Sequence, residues 1–253
     1  AFLFLKQKIL ETEMISISKI ALACAALVAA SGAFAQKAGD NIVSIGLASV
    51  NPDASLGPLS NSTNSAAVGV PGTTVGALLA GTSAKVSSEM TLSLSWLHMY
   101  SDNIGAEVTV GKPPRVTQDL TTPVLHSQHN AAAKIDVWSP AVVAKYFFGT
   151  PQDTWRPYAG LGIAHISFKN ISVSSDPTVQ ALAGTSADLS SSWTPVYNAG
   201  LIYNIDEKWS INGSVSYLPI KTTATFVGPN AKTTTGDVQL NTTDYVVRVG
   251  YRF

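Results

Sequence analysis

Along most of this chain apolar and polar residues alternate one by one, a period of two that predicts β-strands with one face in an apolar environment. In Asn41–Val50, Val43, Ile45 and Leu47 alternate with Ser44, Gly46 and Ala48. In Ser88–His98, Met90, Leu92, Leu94 and Trp96 alternate with Thr91, Ser93 and Ser95. Ser101-Asp102-Asn103 then predicts a tight turn, and Ile104, Ala106, Val108 and Val110 continue the alternation as the second arm of a hairpin. Two more pairs follow, Val137–Phe148 with Trp155–Phe168 and Trp193–Ile205 with Trp209–Pro219. The chain closes on Leu240–Phe253, where Tyr245, Val247, Val249, Tyr251 and Phe253 share one side.

That makes eight predicted strands, each near the 9–11 residues that a tilted strand needs to cross a bilayer. Their connections alternate in size. Short ones fall near 101–103, 149–154 and 206–208; long ones, rich in Ser, Thr, Gly and Ala, fall at 51–87, 112–136, 169–192 and 221–239. Short turns at one rim and long loops at the other predict an eight-stranded antiparallel transmembrane β-barrel with short periplasmic turns and long extracellular loops. Aromatic residues collect at strand ends (Trp96, Tyr100, Tyr146, Phe148, Trp155, Tyr158, Tyr203, Trp209, Tyr251, Phe253), as an interfacial girdle would require. Closure has a physical cause, because lipid offers nothing to hydrogen-bond an open sheet edge. The competing architecture is a β-sandwich with an aromatic core.

Composition agrees. Charged residues make up 13% of the 253 residues and mean hydropathy is +0.19. That is about half the charge of an ordinary soluble domain, as expected if part of the surface faces lipid. Formal net charge is zero, so nothing points to nucleic acid. The single cysteine, Cys24, excludes an intramolecular disulfide and a Cys/His zinc pattern. Nothing calls for a cofactor.

The first 35 residues read as a leader. Met14 opens a signal peptide over 14–35, with Lys19 ahead of the apolar run Ile20–Ala30 and an Ala-x-Ala cleavage pattern at Ala33–Ala35. Residues 1–13 read as translated upstream sequence or an alternative start, and 36–253 as the barrel. The apolar run is too short to span a bilayer as a helix.

Several segments resemble the OmpW family of small outer-membrane barrels. GDNIVSIGLASVNPDAS (39–55) resembles its opening strand with a V-x-P motif, and LSWLHMYSDNIGAEV (94–108) its S/T-D-N-I/W-G-V/A-E hairpin. WRPYAGLGIAHISF (155–168) resembles its R-P-Y-x-G-x-G strand, SSWTPVYNAGLIYNIDEKWSINGSVSYLPI (191–220) its S-W…A-G-x-x-Y segment, and VVRVGYRF (246–253) its closing G-Y-R-F. The family's D/N-P-W before the last strand is replaced by Asn241-Thr242-Thr243-Asp244-Tyr245. The resemblance implies passage of small hydrophobic molecules across the outer membrane. A barrel that presents its loops as a surface receptor or adhesin is the alternative.

Candidate residues follow from these readings. Eight strands leave a narrow interior, and Glu107, Lys145, Arg248 and Arg252 are expected inside it as an ionic plug, since buried charges must pair. The apolar stretch Val68–Ala80, especially Leu78 and Leu79, together with Trp193 at the top of its strand, is expected to line an apolar entrance at the loop end. Val249, Tyr251 and Phe253, at steps of two to the terminus, resemble the signal read by the barrel-assembly machinery, the expected partner besides outer-membrane lipid and small hydrophobic solutes. His165 and Ser167 share a side of one strand, as a membrane-embedded lipid hydrolase would need. They sit in phase with Leu161 and Ile163, on the expected lipid face, with no carboxylate nearby. His126 and His129 read as loop residues.

Overall fold

The structure is a computed structural model, which describes residues 36–56, 83–122, 127–176, 179–180, 185–227 and 233–253. Leu78, Leu79 and His126 lie outside the described residues. The strands are β1 (Asn41–Leu56), β2 (Ser83–Val86), β3 (Glu89–Met99), β4 (Ile104–Gly111), β5 (Arg115–Thr122), β6 (Ser127–Trp138), β7 (Ala141–Phe147), β8 (Trp155–Val173), β9 (Ser186–Leu189), β10 (Ser192–Asn204), β11 (Trp209–Val227) and β12 (Thr233–Arg252).

Eight of them form a closed antiparallel ring in the order β1-β3-β4-β7-β8-β10-β11-β12, with β12 returning to β1. The expected barrel is therefore present, and its closing seam is long: β12 runs against β1 from Ile42↔Arg252 to Leu56↔Val238. At the short-turn rim, Gly149 has φ +79°, a left-handed conformation that favours glycine. Its turn is fixed by Thr150 N–H donating to Asp153 Oδ2 at 2.8 Å.

Four further strands depart from the expected layout. The segments expected to be long loops carry β2, β5, β6 and β9, and β1, β8, β11 and β12 extend past the span of a bilayer. The predicted strand Val137–Phe148 is two strands, parted at Ser139-Pro140. Proline has no N–H to donate into a ladder. The Pro140 carbonyl still accepts from His165 N–H at 3.0 Å, while below it β7 pairs with β4 and above it β6 pairs with β5.

The extensions hid because the amphipathic sense reverses along the strands. Toward the short turns the outer face is apolar, and the inner face sets small and polar residues above one apolar cluster at the rim. Ile45, Leu94, Leu161 and Val247 point outward and are exposed, and Ser44, Ser93 and Ser95 are buried inside. Farther along β11 and β12, Leu218, Ile220, Ala224 and Val238 are buried inside, while Lys221 and Asp237 are exposed. The upper barrel thus has a conventional apolar core in a polar skin, and the lower barrel is inverted, as a lipid environment demands.

Two clusters fill the interior. Ile42, Leu97, Met99, Phe147, Tyr158 and Ile202 pack near the short turns, and Val143, Ala164, Ile166, Val196, Leu218 and Ile220 pack higher up. Tyr158, expected in the outer girdle, belongs inside, because its strand parity is that of Arg156 and Gly160. The girdle is otherwise in place, with outward ring contacts such as Trp155–Tyr203 at 4.5 Å and Trp209–Tyr251 at 5.0 Å between centroids.

Candidate functional site: an apolar chamber above an ionic plug

From the short-turn rim upward the lumen has three levels. The lowest is a clasp around Arg156, which is completely buried. Its guanidinium donates to the carbonyls of Gln36 and Asp102, and its Nε to that of Phe148 at 3.3 Å. Gln36 is held in turn by Asn204, whose Oδ1 accepts from Gln36 Nε2 at 3.0 Å. The segment leading into β1 is thereby tied across the mouth of the barrel.

The second level is a charged network. Lys145 Nζ lies 2.9 Å from Glu107 Oε2, and Arg248 Nη1 lies 3.4 Å from Glu107 Oε1. Arg248 also donates through Nε and Nη2 to Ser93 Oγ at 3.0 and 2.7 Å. Thr109 Oγ1 donates to Glu107 Oε1 at 3.2 Å. Lys145 Nζ stands 4.3 Å from the centroid of the Tyr158 ring, a cation–π contact. The three charged side chains are each 5% exposed or less. Removing charges this far from water costs several kcal/mol per ion. The network offsets that cost by giving every charge a partner of opposite sign.

The third level is a chamber of about 70 Å³, almost wholly apolar, walled by residues including Val116, Ile135, Ile166, Leu218, Ile220 and Leu240. Among the described residues Asp244 is its only charged lining residue. Beside the network lies a more polar cavity of about 90 Å³, shared by Ser93, Glu107, Asn198, Asp244 and Arg248. The lining of that second cavity also includes Leu92, Val110 and Trp138, which face outward, and Pro113, Pro114 and Pro140. It therefore lies at a place where the wall thins. The β4–β7 ladder ends at Thr109↔Ala141, and the strands above it have changed partners.

Of the four charges expected in one plug, the structure joins Glu107, Lys145 and Arg248. Arg252 is not part of it, for it pairs with Asp40 at 3.2 Å near the rim. Four residues separate Arg252 from Arg248, which carries it about 13 Å along a strand and out of reach. Trp193, expected at the entrance, turns outward instead. It is 66% exposed and its ring lies 4.7 Å from that of His165. Its neighbours Thr194 and Val196 take the inward positions. His165 and Ser167 share a side, as expected, and His165 is occupied by this ring contact. Val249, Tyr251 and Phe253 all lie on the outer face, with Val249 and Tyr251 opposite Ile45 and Val43. Among the described residues no cluster of three or more potential metal ligands occurs.

Sequence reasoning missed Arg156, Asp244 and the chamber walls. In the sequence Arg156 stands within the R-P-Y motif and Asp244 within the segment that departs from the family pattern. Each has the inward parity that marks Arg248, and that was the available signal.

The family model for the OmpW family matches residues 37–253. The chain belongs to the OmpW family. Outer membrane protein W of Vibrio cholerae is 30% identical to it over 92% of this chain and 97% of that one. Outer membrane protein AlkL of Ectopseudomonas oleovorans is 26% identical over 59% of this chain and 60% of that one. The crystal structure of outer membrane protein OprG from Pseudomonas aeruginosa superimposes with a TM-score of 0.71 at 28% identity, covering 87% of this chain and 98% of OprG. This OmpW-family protein is thus an outer-membrane β-barrel, with its inverted lower half in lipid. The short turns are periplasmic and the β2, β5, β6 and β9 extensions extracellular.

Proposed function

We propose that this barrel passes small hydrophobic molecules across the outer leaflet, taking them in at the extracellular chamber and releasing them sideways into the membrane. The observation that carries the reading is an apolar chamber that shares Asp244 and Leu218 with a polar cavity lined by Glu107 and Arg248 of the charged network. An apolar solute in the chamber has no favourable axial path, since it would have to displace ion pairs that cannot be left unpaired. Beside the network, the wall at Gly111–Pro114 and Trp138–Pro140 is not held by a continuous ladder. Release there keeps the solute in apolar surroundings throughout. The resemblance to the OmpW family supports the same solute class.

The test is uptake of a fluorescent hydrophobic probe by cells that carry the protein, lack it, or carry Ala133→Trp, which places an indole in the chamber wall. Uptake should fall several-fold in both altered strains, with the Trp variant still present as a folded barrel. Wild-type uptake in cells lacking the protein would overturn the reading.

A further inference from the structure

Asp244 sits on the inner face of β12, opposite Val50 on one side and Ser216 on the other, and it lines both the apolar chamber and the polar cavity below. Its Oδ1 is buried and, among the described residues, accepts no hydrogen bond. The nearest cationic side chain on its own strand, Arg248, is committed to Ser93 and Glu107. A buried carboxylate oxygen without a donor is costly in an apolar wall, and such groups in native structures call for an explanation.

We propose that Asp244 is the polar recognition point of the chamber, and that its preferred ligands are neutral molecules with a short apolar body ending in a hydroxyl. This rests on the chamber being the solute site, and it names the class of solute. The hydroxyl donates to Oδ1 while the alkyl chain lies against Leu218, Ile220 and Leu240. Charge selects the neutral head. Lys145 and Arg248 are balanced by Glu107 and Asp244, two of each sign. A cationic amine would supply the same donor but bring an unbalanced charge into a desolvated site. About 70 Å³ has room for roughly five to seven water-sized spheres, so a five-carbon alcohol serves as the probe.

The experiment uses the full barrel in lipid nanodiscs and two isomers of equal size, 1-pentanol and butyl methyl ether, with pentylamine as the charged probe. Binding is followed through the methyl signals of Ile135, Leu218 and Ile220. Wild type should bind pentanol about tenfold more tightly than the ether, the scale of one hydrogen bond to a charged acceptor. Asp244→Leu should bring the two to equal affinity by weakening the alcohol. Asp244→Asn is nearly isosteric, and its amide both accepts and donates. It should narrow the gap by strengthening the ether, which keeps the test informative if the Leu variant does not fold. Equal binding of the isomers to wild type would overturn the role of Asp244 while leaving the chamber a hydrophobic site. Tighter binding of pentylamine than of pentanol would overturn the neutral head. Failure of all three probes to perturb the chamber methyls would remove both this inference and the transport reading beneath it.

Discussion

Lys145 Nζ and Glu107 Oε2 stand 2.9 Å apart on adjacent strands, with both side chains essentially out of contact with solvent. Their placement follows from register, since β4 meets β7 with Glu107 opposite Val143 and Gly105 opposite Lys145, so the two charges are diagonal neighbours on the inner face. Diagonal neighbours on a sheet face are within reach of long side chains. Glu107→Gln keeps the shape and removes the carboxylate that pairs with both Lys145 and Arg248. The variant should lose about 3 kcal/mol or more of stability, because one partner of a buried network has gone and the others remain charged. Urea unfolding of the barrel in lipid vesicles measures this. A loss below about 1 kcal/mol would mean that water reaches the network.

Arg156 makes a separate prediction for the periplasmic end. Its guanidinium serves three backbone carbonyls from three stretches of chain, those of Gln36, Asp102 and Phe148. Lysine keeps the charge but presents a single ammonium in place of a planar fork. Arg156→Lys should therefore destabilise the barrel by about 2–4 kcal/mol, as donors to several carbonyls are lost at a buried site. It should also raise hydrogen exchange at Ala38 and Gly39, whose amides donate to Asp102 Oδ1 and the Met99 carbonyl. Unchanged exchange at those amides would show that the cap is held by other contacts.

The barrel was legible wherever hydrocarbon lies against it. Outside Val43, Ile45 and Leu47 there is lipid, so those positions must be apolar and the period of two is strict. Above the lipid the constraint relaxes. Thr222, Thr223 and Thr225 alternate with little contrast in hydropathy, and the apolar residues have moved to the inner face. A reading keyed to an apolar exterior therefore assigned 221–239 to a loop although β11 and β12 run through it. Threonine's preference for strands was the surviving clue. For the site, inward parity pointed to Glu107, Lys145 and Arg248, which meet inside the barrel. It could not place Arg252 with Asp40, because strand parity gives the face of a residue but not its height relative to other strands. Trp193 was misplaced for the opposite reason, since its height was right and its face was wrong.

Leu161 tests the environment of the outer face directly. It is 65% exposed, between Gly160 and Gly162 on β8, with Ala144 and Tyr197 as its cross-strand neighbours. In a soluble protein Leu161→Arg at so open a position would change stability by no more than about 0.5 kcal/mol. In a bilayer the same change should cost about 2–4 kcal/mol if the residue lies near the midplane. Vesicles made from shorter-chain lipids, which bring the headgroups closer, should reduce the penalty. A cost that does not depend on lipid thickness would place Leu161 outside the hydrocarbon.

Phe253 separates assembly from stability. Its backbone is secured, with Phe253 N–H donating to the Asn41 carbonyl at 3.0 Å, but its side chain is 69% exposed on the outer face and packs on little else. Loss of so open a ring should cost the finished barrel less than about 1 kcal/mol. We therefore expect Phe253→Ala to unfold in lipid vesicles close to wild type, yet to accumulate in the outer membrane at a few-fold lower level, the outcome that an assembly signal read before the barrel closes would give. Equal abundance in cells with equal stability would leave Phe253 as one lipid-facing ring among several. A large loss of stability in vesicles would instead make the ring part of the β1–β12 seam, and any fall in abundance would then follow from that.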